Sequence, residues 1–109
     1  MQYLNLDYVP GFVPVYTFPM NTDFGVPVDV TGYTWKFEAF DCYGKSLYVN
    51  TSPTAATGND VVFTIPVPAT PIFMQGNYSY RVSGTNSTTN VNSIWTTGFI
   101  TVEPAVVLP

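Results

Sequence analysis

Turn-forming residues interrupt this sequence so often that a long helix has no room to form. Ten prolines and eight glycines are spread through 109 residues, and no interval between them carries the 3.6-residue apolar repeat of an amphipathic helix. What recurs instead is a short run of β-branched and aromatic residues followed by turn residues, at intervals of about 8–12 positions. This spacing is typical of an antiparallel β-sandwich or barrel. The length fits one domain, residues 1–109.

Eight runs are predicted as strands, and together they predict an all-β, antiparallel sandwich of seven to eight strands. The runs are 2–8, 12–18, 26–30, 34–40, 46–50, 61–67, 78–84 and 93–103. Residues 51–60 and 85–90 are predicted as polar loops, and 68–77 as a proline-bounded connection.

The segment "TWKFEAF" at 34–40 has the best alternation in the chain. It places Trp35, Phe37 and Ala39 on the face that is predicted to be core, and Lys36, Glu38 and Phe40 on the other face. The turn at 41–45 closes a hairpin, with Gly44 supplying a positive φ. Gly98 is predicted to be a bulge or a crossing point. The predicted core comprises Trp35, Phe37, Val49, Phe63, Ile65, Tyr80, Val82, Phe99 and either Ile100 or Val102.

Charged side chains are scarce. They make up 9% of the residues, against about 25% in a typical soluble domain. A monomer covered by so few charges would be poorly soluble, which favours a surface that meets other subunits. The alternative is a surface of neutral Thr, Asn and Ser groups. The three cations, Lys36, Lys45 and Arg81, are too few to build a basic patch, so no nucleic-acid partner is expected.

The residue types that carry most catalysis and metal binding are missing. The chain has no histidine, which removes Ser-His-Asp sites, Cys-His sites and histidine metal sites together. Its lone cysteine, Cys42, cannot form an internal disulfide. The carboxylates are dispersed, without the spacing of a calcium loop, and are interpreted as caps of turns. We therefore expect no enzymatic activity, no catalytic residue, no cofactor and no metal.

No targeting or membrane signal is visible. The N-terminus "MQYLNLDYVPGF" lacks the basic and continuous apolar regions of a signal peptide. No apolar run approaches the ~20 residues that a spanning helix needs. We expect cytoplasmic synthesis and no membrane partner.

The two ends of the chain, "MQYLNLDYVPGFVP" and "PAVVLP", are apolar and punctuated by proline. Two interpretations stay open for them. They are edge strands of this domain, or they are docking arms, at 1–11 and 104–109, that add to the sheet edge of a neighbour. Under the second interpretation the protein-interface residues are Tyr3, Leu4, Leu6, Tyr8, Phe12, Val106, Val107 and Leu108.

Three segments together resemble a known family: "GVPVDVTGYTWKFEAFDCYGKSLY", "VVFTIPVPATPIFMQGNYSYRVSG" and "GFITVEP". They are similar to the immunoglobulin-like domain of tailed-phage virion proteins, in particular the N-terminal domain of the baseplate upper protein. The resemblance spans about residues 12–104. It implies a structural role in the virion and no catalysis. The matching positions are Pro27, Val28, Asp29, Val30, Thr31, Gly32, Tyr33, Gly76, Tyr78, Tyr80, Val82, Gly98, Ile100, Val102 and Pro104.

In the baseplate proteins this domain usually precedes a longer chain, whereas Pro104 here is followed by five residues. This difference favours a capsid decoration or cement protein, present in many copies or as a homo-oligomer, with the major capsid protein as partner. The alternatives are an accessory protein of the tail or baseplate, bound to proteins there, and a carbohydrate-binding module that uses exposed tyrosines. The expected location is the virion.

Overall fold

The computed structural model describes residues 2–8, 15–22, 24–65 and 76–102. The described part contains nine strands and one short 3₁₀ turn. The elements are β1 Gln2–Tyr3, β2 Leu6–Tyr8, β3 Val15–Pro19, the 3₁₀ turn Val30–Gly32, β4 Tyr33–Phe40, β5 Ser46–Asn50, β6 Ala55–Thr57, β7 Asp60–Thr64, β8 Gly76–Asn86 and β9 Asn92–Val102. Within these residues no helix has the length and apolar character to cross a membrane.

The strands form two sheets. The larger has the order β1/β2–β9–β8–β4–β5, and the smaller has the order β3–β7–β6. This arrangement corresponds to an immunoglobulin-like sandwich. In the larger sheet, β9–β8–β4–β5 correspond to strands G, F, C and C′. In the smaller sheet, β3–β7–β6 correspond to strands B, E and D. The predicted all-β sandwich is confirmed. Pairing between the named strands is antiparallel, except that β1 and β2 run parallel to β9.

Two local predictions are wrong. Residues 26–30 are not a strand, because Pro27 makes an isolated bridge with Asn21 and the chain then enters the 3₁₀ turn. Asp29 caps that turn by accepting hydrogen bonds from the backbone N–H and the hydroxyl of Thr31. The predicted loop at 51–60 contains β6, a short edge strand of two alanines and a threonine, which are too small to give a visible apolar alternation.

The core lies between the sheets and is largely aromatic. Phe37 stacks on Tyr80 with 5.4 Å between ring centroids, and Phe18 and Phe63 approach Phe37 from the smaller sheet at 6.1 and 5.7 Å. Trp35 is buried on β4, and its Nε1 donates a 3.0 Å hydrogen bond to the Val30 carbonyl. A buried tryptophan on strand C is a hallmark of the immunoglobulin fold. The predicted core residues that are buried are Trp35, Phe37, Phe63, Ile65, Tyr80, Val82 and Ile100.

The other two predicted core residues are exposed. Val49 is 48% exposed and Phe99 is 60% exposed. Val49 is paired with Glu38, which faces outward. Phe99 precedes the inward-facing Ile100, so its side chain points to the opposite side of the sheet. Both residues therefore belong to the solvent side of the larger sheet.

Candidate protein-binding surface

The outward side of the larger sheet carries a continuous surface that crosses all of its strand positions. Paired residues on neighbouring strands point to the same side of a sheet. One row of such pairs comprises Tyr3, Thr97, Arg81, Glu38 and Val49, on β1, β9, β8, β4 and β5. The adjacent row comprises Phe99, Ser79 and Phe40. We refer to the surface formed by these eight residues, together with Lys36, as the outer face.

The charges of the outer face form one cluster around Glu38. Its carboxylate lies 3.4 Å from Arg81 Nη2 and 3.6 Å from Lys36 Nζ. Burial acts to raise the pKa of Glu38, but a hydrogen bond from Ser46 and the two cations outweigh it and hold the pKa below its usual value. The Arg81 guanidinium also lies 4.8 Å from the centroid of the Phe40 ring. Arg81 is thus paired with the largely buried Glu38 carboxylate and at the same time lies over the Phe40 ring.

A groove follows β8 on the outer face. Two adjoining concavities, of about 450 and 430 Å³, share Ser79 and Gly44 in their linings. Phe40 lies on one side of the groove, and Phe99 lies on the other. Because these two residues are on the strands that flank β8, their Cα atoms are about 10 Å apart. Ser79 between them is too small to fill the gap.

The hairpin turn at 41–45, which the sequence predicted, lies at one end of this groove. The Asp41 carboxylate accepts 2.9 Å hydrogen bonds from the backbone N–H groups of Tyr43 and Lys45, and Gly44 adopts a φ of 80°. These bonds stabilise the conformation of the turn. Tyr43 is 93% exposed at its tip, and Cys42 is an exposed free thiol in the groove lining.

The predicted interface residues of the N-terminal segment are divided between the surface and the core. Tyr3 is 77% exposed on the outer face, and Leu4 is exposed beside it. Leu6 is buried in the core, and Tyr8 is half-buried against it. The remaining predicted interface residues, Phe12, Val106, Val107 and Leu108, lie outside the described residues.

Side chains from both sheets hold the N-terminal segment to its own domain. Tyr16 donates a 2.7 Å hydrogen bond to the Asp7 carbonyl, and Tyr80 donates one of 2.5 Å to the Leu4 carbonyl. Gln2 Nε2 contacts the Pro19 carbonyl at 2.8 Å. In the structure, β1 and β2 of this segment both pair with β9 of the same domain.

The outward face of β4 was predicted correctly from the sequence, but the larger surface of which it is part was not. Lys36, Glu38 and Phe40 follow from alternation within one strand. The position of Phe99 opposite Phe40 depends on the register of three strands. No pattern of neighbouring residues in the sequence indicates this register. The sequence did contain a signal for the face on which Phe99 lies. Phe99 and Ile100 are neighbours, so without a bulge only one of them can face the core.

The described residues also bear on metal binding. Among them, no three His, Cys, Asp or Glu side chains lie close enough together to hold a metal ion.

No protein-family model matches the chain, and no curated protein matches it. Among solved structures, the chain is similar to CopC from Methylosinus trichosporium OB3b, with a TM-score of 0.55 and 13% sequence identity. The similarity covers 95% of this chain and 90% of that one. At this identity the likeness shows the fold alone.

Proposed function

We propose that this chain is a non-enzymatic structural protein of a tailed-phage particle, acting through protein–protein contacts as a capsid decoration or cement protein. The proposed binding role rests on the composition of the outer face. This face exposes Tyr3, Phe99 and Val49 around a positioned Arg81. Aromatic residues and arginine are enriched at protein interfaces, and most other charged residues are depleted there.

The phage context is supported by the sequence resemblance and by the composition. A protein present in many symmetric copies needs only modest contacts per copy, since multivalency multiplies their effect. A low charge content reduces the desolvation that each contact requires. The outer face and a surface with few charges suit such an arrangement.

The proposal has a direct test with a matched pair of variants. Phe99→Ser removes an aromatic ring from the outer face, whereas Phe24→Ser removes a 95% exposed ring from the turn after β3. Each full-length variant is added to particles that lack the protein, and bound protein is measured by co-sedimentation and quantitative mass spectrometry. We expect Phe24→Ser to bind as the wild type does, and Phe99→Ser to bind about tenfold more weakly. Equal binding by all three chains, or absence of the chain from purified particles, would refute the proposal.

An accessory role in the tail or baseplate is the first alternative, and copy number separates it from capsid decoration. A shell protein is present at on the order of hundreds of copies, whereas a tail ring carries about six to a few dozen. Quantitative mass spectrometry against the major capsid protein gives this ratio.

Carbohydrate binding is the second alternative, and one feature of the outer face favours it. Exposed rings at Tyr43 and Phe99 lie beside a groove lined with the Ser79 and Thr97 side chains. Rings next to hydroxyl groups suit stacking on a sugar. Binding of a glycan array by the wild type, lost in Phe99→Ser, would support this alternative in place of assembly.

A further inference from the structure

The groove on the outer face has the shape and polarity to take an extended apolar peptide. Its phenyl walls and its Ser79 floor leave a slot for slim side chains. Along β9 the groove extends from Phe99 to Ile94, which corresponds to about 17 Å or five residues of extended chain. A ligand of this length with small aliphatic side chains would fill it.

The charged side chains in and beside the groove are Lys36, Lys45, Arg81, Glu38 and Asp41, which sum to one net positive charge, whereas the chain as a whole has a net charge of −4. Arg81 lines the groove, and Lys45 follows the turn that closes it. The Glu38 carboxylate is shared between two cations, and the Asp41 carboxylate accepts the backbone N–H groups of the turn. A ligand with one carboxylate next to its apolar run would complement this arrangement.

The chain itself contains a segment with these properties. Residues 103–109, "EPAVVLP", lie outside the described residues. They contain one carboxylate, no cation, and an apolar run between two prolines. Proline disfavours helical conformations in the residue before it. A segment that is biased toward extended conformations loses less entropy on binding in a groove.

The position of the end of β9 favours binding of this segment in the groove of another copy and not in its own groove. Phe99 pairs with Ser79 at the groove, and Val102, three positions further on, pairs with Gly76. The chain has therefore passed its own groove when the segment begins, and would have to reverse direction to enter it. A continuation along β9 instead leads away from the domain, and seven extended residues reach up to about 23 Å.

We propose that residues 104–109 of one copy bind in the groove between Phe40 and Phe99 of a second copy, with Glu103 close to the Arg81 and Lys45 cations. The contact is heterologous: a tail of one copy meets a groove of the next, so repetition gives a ring or an open chain of copies. This inference rests on the proposed assembly function, and names a second copy as a partner.

A disulfide-trapping experiment with full-length chains tests the contact, because Cys42 already lines the groove. A tagged chain with Cys42→Ser and Val107→Cys is mixed with the untagged wild type under mild oxidation. The matched control carries Cys42→Ser and Val15→Cys, at a 59% exposed position on the smaller sheet. We expect Cys42 of the wild type to form its mixed disulfide with the cysteine at position 107 about tenfold faster than with the cysteine at position 15. The reason is that binding of the tail in the groove raises the effective concentration of the thiol at position 107 near Cys42.

The groove variants give the second arm of the experiment. Phe99→Ser in the wild-type partner should reduce trapping to the rate of the control, and Phe24→Ser should leave it unchanged. Equal rates for positions 107 and 15, or trapping that is insensitive to Phe99→Ser, would overturn the inference. A further chain carries Val107→Cys and keeps Cys42. An internal disulfide in that chain, formed at a rate that an excess of cysteine-free chain does not reduce, would also overturn the inference.

Particle binding separates this inference from the proposed function. Specific trapping by a chain that is absent from particles would leave the tail contact standing and remove the virion role. A chain that binds particles through the outer face without specific trapping would retain the virion role and lose the tail contact.

Discussion

The hydroxyl of Tyr80 donates a 2.5 Å hydrogen bond to the carbonyl oxygen of Leu4, across 76 positions of sequence. Leu4 belongs to the short link between β1 and β2, and its carbonyl group lies directly against Gly98. Burial raises the pKa of the Tyr80 hydroxyl, which therefore stays protonated and available as a donor. The bond ties the link between β1 and β2 to a core residue of β8.

Gly98 permits this approach, and adding a methyl group should disrupt it. A Cβ at position 98 would clash with the Leu4 carbonyl oxygen, which is backbone and cannot move independently. We expect Gly98→Ala to lower the free energy of unfolding by about 2–3 kcal/mol. Gly32→Ala is the control, since a Cβ there meets no atom within 4 Å. Chemical denaturation measures both, and equal effects would contradict the close approach.

Removing the Tyr80 hydroxyl alone should have a smaller effect. Tyr80→Phe keeps the ring stacked on Phe37 but leaves the Leu4 carbonyl without this donor. We expect a loss of about 1 kcal/mol in the free energy of unfolding. Tyr43→Phe, at an exposed ring, should cause no measurable loss. Denaturation curves with coinciding midpoints for Tyr80→Phe and the wild type would show that the bond does not stabilise the fold.

Removing residues 1–8 should destabilise the domain as well as remove a surface. Leu6 belongs to the core, and the hydroxyls of Tyr80 and Tyr16 both donate to this segment. We expect the deletion to cost about 3 kcal/mol or more, comparable to emptying a core leucine site. The control is Tyr3→Ser, which alters the exposed surface of the segment and keeps the strand. If the deleted chain melts at the wild-type temperature, residues 2–8 are dispensable for the fold.

Stability should fall in the alkaline range through Tyr16. Burial, with further contributions from Tyr8 and the Asp7 charge, raises the pKa of Tyr16 from 10.0 to about 12. The folded state thus binds this proton more tightly than the unfolded state does. The contribution to stability is complete below about pH 10 and is lost as the pH rises toward 12.

The pH dependence is measured by denaturation at several pH values, together with tyrosinate absorbance. The Tyr16→Phe variant should show a shallower loss of stability between pH 10 and 12 than the wild type does. An identical slope for the two proteins would mean that Tyr16 ionises equally in both states.

Strand alternation explains why the two faces of β4 were predicted correctly and why Phe99 on β9 was wrongly placed in the core. Along β4 the alternation of Trp35 and Phe37 with Lys36 and Glu38 is a property of neighbouring residues, so sequence alone assigns both faces. Along β9 the residues from Thr96 to Val102 pair with β8 in regular register, so Phe99 and Ile100 face opposite sides of the sheet. The register shift lies further back, between Ile94 and Thr96, opposite Val82 and Ser83. Gly98 was predicted to be a bulge or a crossing point; the register is regular there, and the Leu4 carbonyl crosses over it.

The candidate surface could be predicted only in part for the same reason. The outward positions 36, 38 and 40 followed from one strand, and the closing turn at 41–45 followed from Asp41 and Gly44. The groove needs Phe40, Ser79 and Phe99 in one row. These residues are far apart in sequence, and no local pattern specifies which of them become neighbours.

The sequence by itself determined the fold class, the faces of β4 and the hairpin turn, because strand alternation and turn chemistry act between residues that are adjacent in the chain. The tertiary structure decided that residues 2–8 join their own domain, parallel to β9, and that Phe99 faces solvent opposite Phe40. Both outcomes depend on contacts between distant segments. Their energies depend on register and packing, which exist only once the two sheets have come together.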